Sequence, residues 1–454
     1  MRYIPHTTDD VRRMLEAIGV ASVEQLFDSI PSALKLSRDL ALPTPMDEVS
    51  LTSLLRGLAA RNAASADRMA LFLGAGAYAH HIPAAVDQLL LRGEFFTAYT
   101  PYQSEASQGT LQSIFEYQSM VASLLGADAV NASMYDGASA TAEAVLMGLR
   151  LKRKRPRVLV ARSVHPEVGQ TCRTYLSEHE PGLEEVPFTN TGTTDLDSLK
   201  ATLDDEVSSV VIQSPNALGC IEPLDRIADL VHAAGGLLIA VVLEPVSLGL
   251  LRTPGELGAD IITGEGMGLG SGLHFGGPGL GLFGVRGSRN VWQMPGRLVG
   301  QTSDAQGRTG YVLTMASREQ HIRRARATSN ICTNEGLCML AAAIHLSLLG
   351  KQGFGELARI NATNARALLE KVERVAGVER VFPAPFFNEF VIRVDGGAER
   401  ALARLSDAGI LGGLPAHRFF PELDSHLIVC ATECNTHEQL SRYAETLAGQ
   451  EVAS

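Results

Sequence analysis

From residue 157 to residue 285 the chain alternates short apolar runs with helical patterns, and this alternation restricts its fold more than any other feature. The apolar runs at 157–161, 208–213, 236–243, 260–263 and 280–285 are continuous, as strands buried on both faces must be. Helical periodicity separates them at 196–203 and 224–234. That order predicts an α/β fold built on a mostly parallel sheet with helices on both faces. Ahead of it, Leu111, Phe115, Gln118, Ala122 and Leu125 share one face of a helix expected over 108–125, and a second helix is expected to end at Leu151.

The two ends of the chain read differently. Residues 1–65 are expected to form a helical extension. Val11, Met14, Leu15 and Ile18 follow Thr8 and Asp9 as caps, with Gly19 closing the helix. Ser22 and Gln25 have the spacing of a capping box, and a further helix is expected over 46–62. Short amphipathic helices make a poor core alone, so this extension is expected to pack on another domain or subunit. The large α/β domain is assigned to 66–335. Residues 336–454 alternate helices at 337–349, 354–375, 399–408 and 438–447 with strands at 378–382, 389–394 and 427–431, a small α+β domain.

Composition narrows the partners. The net charge of −11 and a pI near 5.6 argue against nucleic acid and anionic membrane as general partners. The basic run at 152–157 follows a helix end, where it complements the helix dipole. Six cysteines without a CxxC pair read as buried thiols in a reducing compartment. No signal-like segment opens the chain, and no apolar run approaches the roughly 20 residues that span a membrane, so a cytoplasmic location is expected. His80, His81 and His165 lack metal-ligand spacing and read as hydrogen-bonded structural histidines; no metal site is expected.

Three stretches carry potential chemistry. Residues 258–286 hold eleven glycines and no lysine, a backbone built for tight turns or close approach. The stretch at 133–143, which contains Tyr135 and Asp136, enters a helix and reads either as an anion site at the helix N-terminus or as an ordinary capped helix. Neither GxxxxGK nor GxGxxG occurs there. The segment 318–326 gathers Arg318, His321, Arg323, Arg324 and Arg326 in an acidic protein. It reads as a docking surface or as interface ion pairing, with the second favoured because Arg is the preferred interface cation.

Several longer strings, in order, resemble the glycine cleavage system P-protein family, and more narrowly its separately encoded subunit 1 type. They are Tyr3-Ile-Pro-His6, Phe72-Leu-Gly-Ala-Gly-Ala-Tyr78, Thr97-Ala-Tyr-Thr-Pro-Tyr-Gln-Ser-Glu105 and Gln108-Gly-Thr-Leu-Gln112. Phe275-Gly-Gly-Pro278, Pro295-Gly-Arg-Leu-Val-Gly300, Arg318-Glu-Gln-His-Ile-Arg-Arg324 and Thr328-Ser-Asn-Ile-Cys-Thr-Asn334 continue the series. The resemblance spans essentially the whole chain.

It implies the aspartate-aminotransferase-like fold of pyridoxal 5′-phosphate (PLP) enzymes, fold type I, and an activity of glycine decarboxylation. It also implies a P-protein subunit 2 that carries the PLP, glycine as substrate, a lipoylated H-protein as acceptor, and a dimer of heterodimers. PLP enzymes need a Schiff-base lysine. The six lysines here are Lys35, Lys152, Lys154, Lys200, Lys351 and Lys371, and the strand ends where a ligand binds in such sheets lie in the gap between Lys200 and Lys351. No catalytic residue and no covalently held PLP is therefore expected on this chain. The family's Asp-Pro stands here as Glu244-Pro245, and its Gln-Pro as Met267-Gly268. On this reading the loop residues Tyr99, Thr100, Tyr102, Gln103 and Glu105 complete the partner's pocket. Asn131, Tyr135, Asp136 and Glu244 mark a vestigial cofactor site, and Arg318, His321, Arg323 and Arg324 offer partner docking. A diverged scaffold paralogue and a free-standing aminotransferase-like enzyme stand as alternatives.

Overall fold

The computed structural model describes residues 5–62, 69–180 and 182–449. Tyr3 and Ile4 of the N-terminal string lie outside them. The chain divides into two compact units, Met1–Ala63 and Ala64–Ser454.

In the first unit, α1 (Thr8–Ile18) is capped one residue earlier than expected. Thr7 accepts from the Asp10 N–H at 3.2 Å while the Asp10 carboxylate accepts from the Thr7 N–H at 2.9 Å, a reciprocal box. Gly19, at φ 83°, closes the helix in the left-handed region. The box expected at Ser22 does not form. Gln25 Oε1 accepts instead from the Ala21 N–H at 2.7 Å, and Val23–Phe27 is only a 3₁₀ segment. Asp47 caps α2 (Glu48–Ala59) by accepting from the Ser50 N–H at 2.9 Å. Neither helix has a buried residue.

The second unit is organised around a seven-stranded sheet. Its strands are β1 (Ala129–Val130), β2 (Arg157–Ala161), β3 (Leu183–Val186), β4 (Val207–Gln213), β5 (Leu237–Val242), β6 (Ile261–Glu265) and β7 (Gly281–Val285). They lie in the order β1-β7-β6-β5-β4-β2-β3. From β3 to β6 neighbours are parallel; β7 runs against both β6 and β1. Every residue of β4 and β5 is buried, so both faces of the sheet are covered there. The helices that do this include α3 (Gln108–Leu125), α4 (Gly137–Leu151), α5 (Pro166–Tyr175), α6 (Leu196–Thr202) and α7 (Leu224–Ala233). A two-stranded hairpin, β8 (Leu298–Ser303) and β9 (Thr309–Thr314), extends from the sheet domain.

A long helix, α8 (Gly336–Val372), then leads to a four-stranded antiparallel sheet. Its strands are β10 (Val378–Arg380), β11 (Glu389–Val394), β12 (Leu414–Pro415) and β13 (His426–Cys430), ordered β10-β11-β13-β12. Helices α9 (Ala398–Asp407) and α10 (His437–Leu447) pack with it. The domain boundary expected after residue 335 falls at the start of α8, but the core changes inside the helix. Met339 to Ala358 join the large core and Ala365 to Val372 the small one, while the helix breaks earlier, at Gly350 (φ 60°), within the large-core part. By length and composition α8 is apolar enough to cross a membrane, yet its apolar side chains line these two cores. Cys172, Cys220 and Cys430 are buried and Cys338 half-buried. Cys332 and Cys434 depart from the expectation of buried thiols because both lie on exposed loops.

Candidate functional site

The four positions expected to mark a cofactor site fall into two clusters at the C-terminal ends of the strands. In the first, Asn131 is buried and engaged by its own turn, accepting from the Ser133 N–H at 3.1 Å and donating to the Pro295 carbonyl at 3.0 Å. Asp136 caps α4 by accepting from the Ser139 N–H at 2.7 Å, while Tyr135 is half-buried beside it. The anion at this helix N-terminus is the chain's own. Glu265, at the end of β6, accepts from the Gly137 N–H at 3.0 Å through one oxygen. Its other oxygen accepts from the N–H groups of Met267 at 3.0 Å and Leu280 at 2.7 Å. Burial pushes the Glu265 carboxyl above its ordinary range, and these three donors pull against it. The surrounding glycines permit the approach. A Cβ on Gly264 would sit 2.1 Å from the Val242 carbonyl oxygen, and one on Gly279 would meet Asp136 at 2.9 Å and Glu265 at 3.1 Å.

The second cluster forms at Glu244, just after β5. One carboxylate oxygen accepts from the Val246 N–H at 3.0 Å; the other takes Asn388 Nδ2 at 2.8 Å and His80 Nε2 at 3.0 Å. The other ring nitrogen of His80 lies 3.0 Å from Glu433, which also accepts from Asn361 Nδ2 at 2.8 Å and the His81 N–H at 2.7 Å. Burial alone would lower the His80 pKa. Attraction to Glu244 and hydrogen bonds to both carboxylates outweigh it and raise it from 6.5 to about 10. His80 is thus an imidazolium between two acids. The expectation of a structural, hydrogen-bonded histidine describes its contacts, as it does for His165, which bonds the Ala75 carbonyl at 3.0 Å. A Cβ on Gly268 would stand 3.0 Å from the His80 ring.

These residues do not fit a PLP held through a Schiff base. Both oxygens of Glu244, the acid at the end of β5, are engaged by this chain's own donors. Glu265 occupies the helix terminus that would face a phosphate, and the span between Lys200 and Lys351 supplies no amine.

The loop 99–105 is the other feature. Tyr99 is 81% exposed and Tyr102 57% exposed; Gln103 and Glu105 also face outward, while Thr100 is half-buried. Behind the loop is a cavity of about 190 Å³ lined by Tyr99, Thr100, Thr110, Ser113, Asn334 and Leu340. Beside it lies Arg297, only 4% exposed. Its guanidinium donates to Thr100 Oγ1 at 3.1 Å and Tyr102 Oη at 3.1 Å. It also donates to the Cys332 carbonyl at 2.5 Å, Asn334 Oδ1 at 3.3 Å and Thr333 Oγ1 at 3.4 Å. The charge stands 5.3 Å from the Tyr102 ring centroid.

The basic segment divides. Arg318 is buried and donates to the carbonyls of Met294 and Gly296, so it anchors backbone and is not a free docking residue. His321, Arg323 and Arg324 are exposed. Sequence reasoning singled out none of Arg297, Glu265 and Glu433 as a site residue. Arg297 did lie inside a quoted string and Glu265 inside the glycine-dense stretch 258–286, but nothing local marked them as anchors.

Two solved structures place the fold alone: a Burkholderia pseudomallei sphingosine-1-phosphate lyase (TM-score 0.65, 15% identity, 92% of this chain, 94% of that one) and a NifS-like protein (TM-score 0.64, 13% identity, 84% and 98%). Together with the sheet order they define the class, the aminotransferase-like fold type I of PLP-dependent enzymes. The family profile described as glycine cleavage system P-protein matches residues 1–447. The chain therefore belongs to the glycine cleavage system P-protein family. It is 51% identical over 447 residues to a probable glycine dehydrogenase (decarboxylating) subunit 1 of Anaeromyxobacter dehalogenans, covering 98% of this chain and 99% of that protein. A protein of the same description from Maricaulis maris is 48% identical over 451 residues, covering 99% of this chain and all of its own length. A crystal structure of a glycine decarboxylase P-protein in inhibitor-bound form superposes with a TM-score of 0.89 at 42% identity, covering 99% of this chain and 100% of that one. Neither alternative, scaffold or free-standing aminotransferase, gains support from these relatives.

Proposed function

We propose that this chain is subunit 1 of a split glycine decarboxylase and works with a PLP-bearing subunit 2 in the cytoplasm, as a dimer of heterodimers. The paired enzyme releases the glycine carboxyl group as CO₂ and transfers the aminomethyl group to the lipoyl disulfide of H-protein; electron withdrawal by PLP on the partner supplies that chemistry. This chain's share is to bind, orient and exclude water. Tyr99 and Gln103 offer hydroxyl and amide groups toward glycine, and Thr100 and Tyr102 hold the loop in place. His321, Arg323 and Arg324 offer positive charge to an acidic docking partner, for which H-protein is the candidate.

The observation that carries this reading is the combination of a strand-end site closed by its own Glu244 and Glu265 with an outward-facing polar aromatic loop. The test is Tyr99→Ala and Gln103→Ala in the reconstituted complex. A misplaced substrate costs up to about 10²-fold, so glycine–bicarbonate exchange is expected to fall by at least about tenfold with assembly intact. Unchanged exchange from both assembled variants contradicts the loop's role.

A further inference from the structure

We infer that Arg297 is the positioning residue of the pocket-completing loop; this rests on the reading that the loop faces the partner's site. Up to Tyr102 the backbone of the loop holds itself only locally, through the Ala98 N–H to the Phe95 carbonyl and the Tyr102 N–H to the Thr100 carbonyl; further on, the Ser104 carbonyl accepts from Gln108 Nε2 at 2.7 Å. Such a segment orders poorly unless its side chains are tied to something rigid. Arg297 is that tie. It begins where strand β8 starts, and its own carbonyl accepts from the Ala132 N–H at 2.8 Å, which fixes it to the turn entering α4.

Each end of the guanidinium grips both the loop and the 332–334 segment. One terminal nitrogen takes Thr100, Thr333 and Asn334; the other takes Tyr102 and the Cys332 carbonyl. The remaining nitrogen, Nε, lies 3.9 Å from Glu319, the residue beside Arg318. Asn334 passes the restraint on, donating to the Ala132 carbonyl at 2.9 Å. With both terminal nitrogens engaged inside the chain, Arg297 has no free fork for a glycine carboxylate. Its place is behind the loop, setting where Tyr99 and Gln103 point. Lysine cannot replace it, because a single ammonium on a flexible stem cannot hold two segments at once.

The experiment uses the full chain as Arg297→Lys and Arg297→Gln, alone and assembled with its partner. Amide exchange over 98–104 is expected to rise about tenfold while β5 stays protected. In the complex kcat and kcat/KM for glycine are expected to fall together, by about 10²-fold, because orientation in the transition state is what is lost. Should either variant fail to assemble, Tyr102→Phe removes one grip alone and is expected to show the same two changes on a smaller scale. Unchanged exchange protection over 98–104 in all variants overturns the tie. Raised exchange with unchanged glycine kinetics overturns the catalytic consequence, and unchanged kinetics in Tyr99→Ala as well would then locate the failure in the loop's proposed role.

Discussion

His80 holds a positive charge between acids that come from distant parts of the sequence, 164 residues away at Glu244 and 353 at Glu433. Its folded pKa of about 10 stands above the ordinary 6.5, so its contribution to stability is fully present below pH 6.5 and lost as pH rises through 10. Glu389, raised to about 7 by burial, acts in the same direction: its contribution is complete below its ordinary 4.5 and lost as pH rises through 7. Glu433 is depressed and acts in the opposite sense, below 4.5. The melting temperature is therefore expected to fall between pH 6.5 and 10. His80→Gln, which leaves two buried carboxylates facing each other, is expected to cost about 3–5 kcal/mol at pH 6.5 and to flatten that decline. A pH series of thermal melts checks it; a variant that declines as steeply as the parent contradicts the charged triad. The sequence marked His80 only as a hydrogen-bonded structural histidine; its charge and its two distant acids were not legible there. His80, Glu265 and Arg297 acquire their partners only when strand ends meet.

Elements were far more legible than residues. The span of α3, and strands β2 and β11, were readable to their ends because a long buried face or a continuous apolar run is a local signal. What escaped follows from the same physics. Strand β3 is an edge strand, Leu-Glu-Glu-Val, with only Val186 buried, so it never shows an apolar run. The hairpin β8–β9 is fully buried only at Leu298 and Val299, so it shows no continuous apolar run, and the break at Gly350 is hidden in an otherwise helical pattern. The glycine-dense stretch was readable as close approach, though not as approach to this chain's own backbone. Gly264→Ala forces a methyl to within 2.1 Å of the Val242 carbonyl, whereas a Cβ on Gly109, in the first turn of α3, meets nothing within 4 Å. Overpacking costs typically about 1–3 kcal/mol, and Gly264→Ala is expected at or above that range by denaturant titration. Gly109→Ala is expected to be neutral or to stabilise by up to about 1 kcal/mol. Equal effects from the two substitutions would contradict the packing described for β5 and β6.

At the scale of the molecule, composition and periodicity reached an α/β sheet protein with a second, smaller domain and stopped there. The functional reading came from long strings in order, and the family match over residues 1–447 shows the P-protein family to which those strings pointed. The fold has kept the strand-end architecture of a PLP enzyme while Glu265 and the His80 triad fill it from within. On the proposed function, such a chain completes the reaction only together with its partner. The measurement that tests this most directly is exchange of labelled bicarbonate into glycine, in the presence of lipoylated H-protein. It is made for this chain alone, for PLP-loaded subunit 2 alone, and for the two mixed. The account predicts exchange from the mixture and none above background from either chain by itself. Exchange by this chain alone, or by subunit 2 alone at the rate of the mixture, would contradict it.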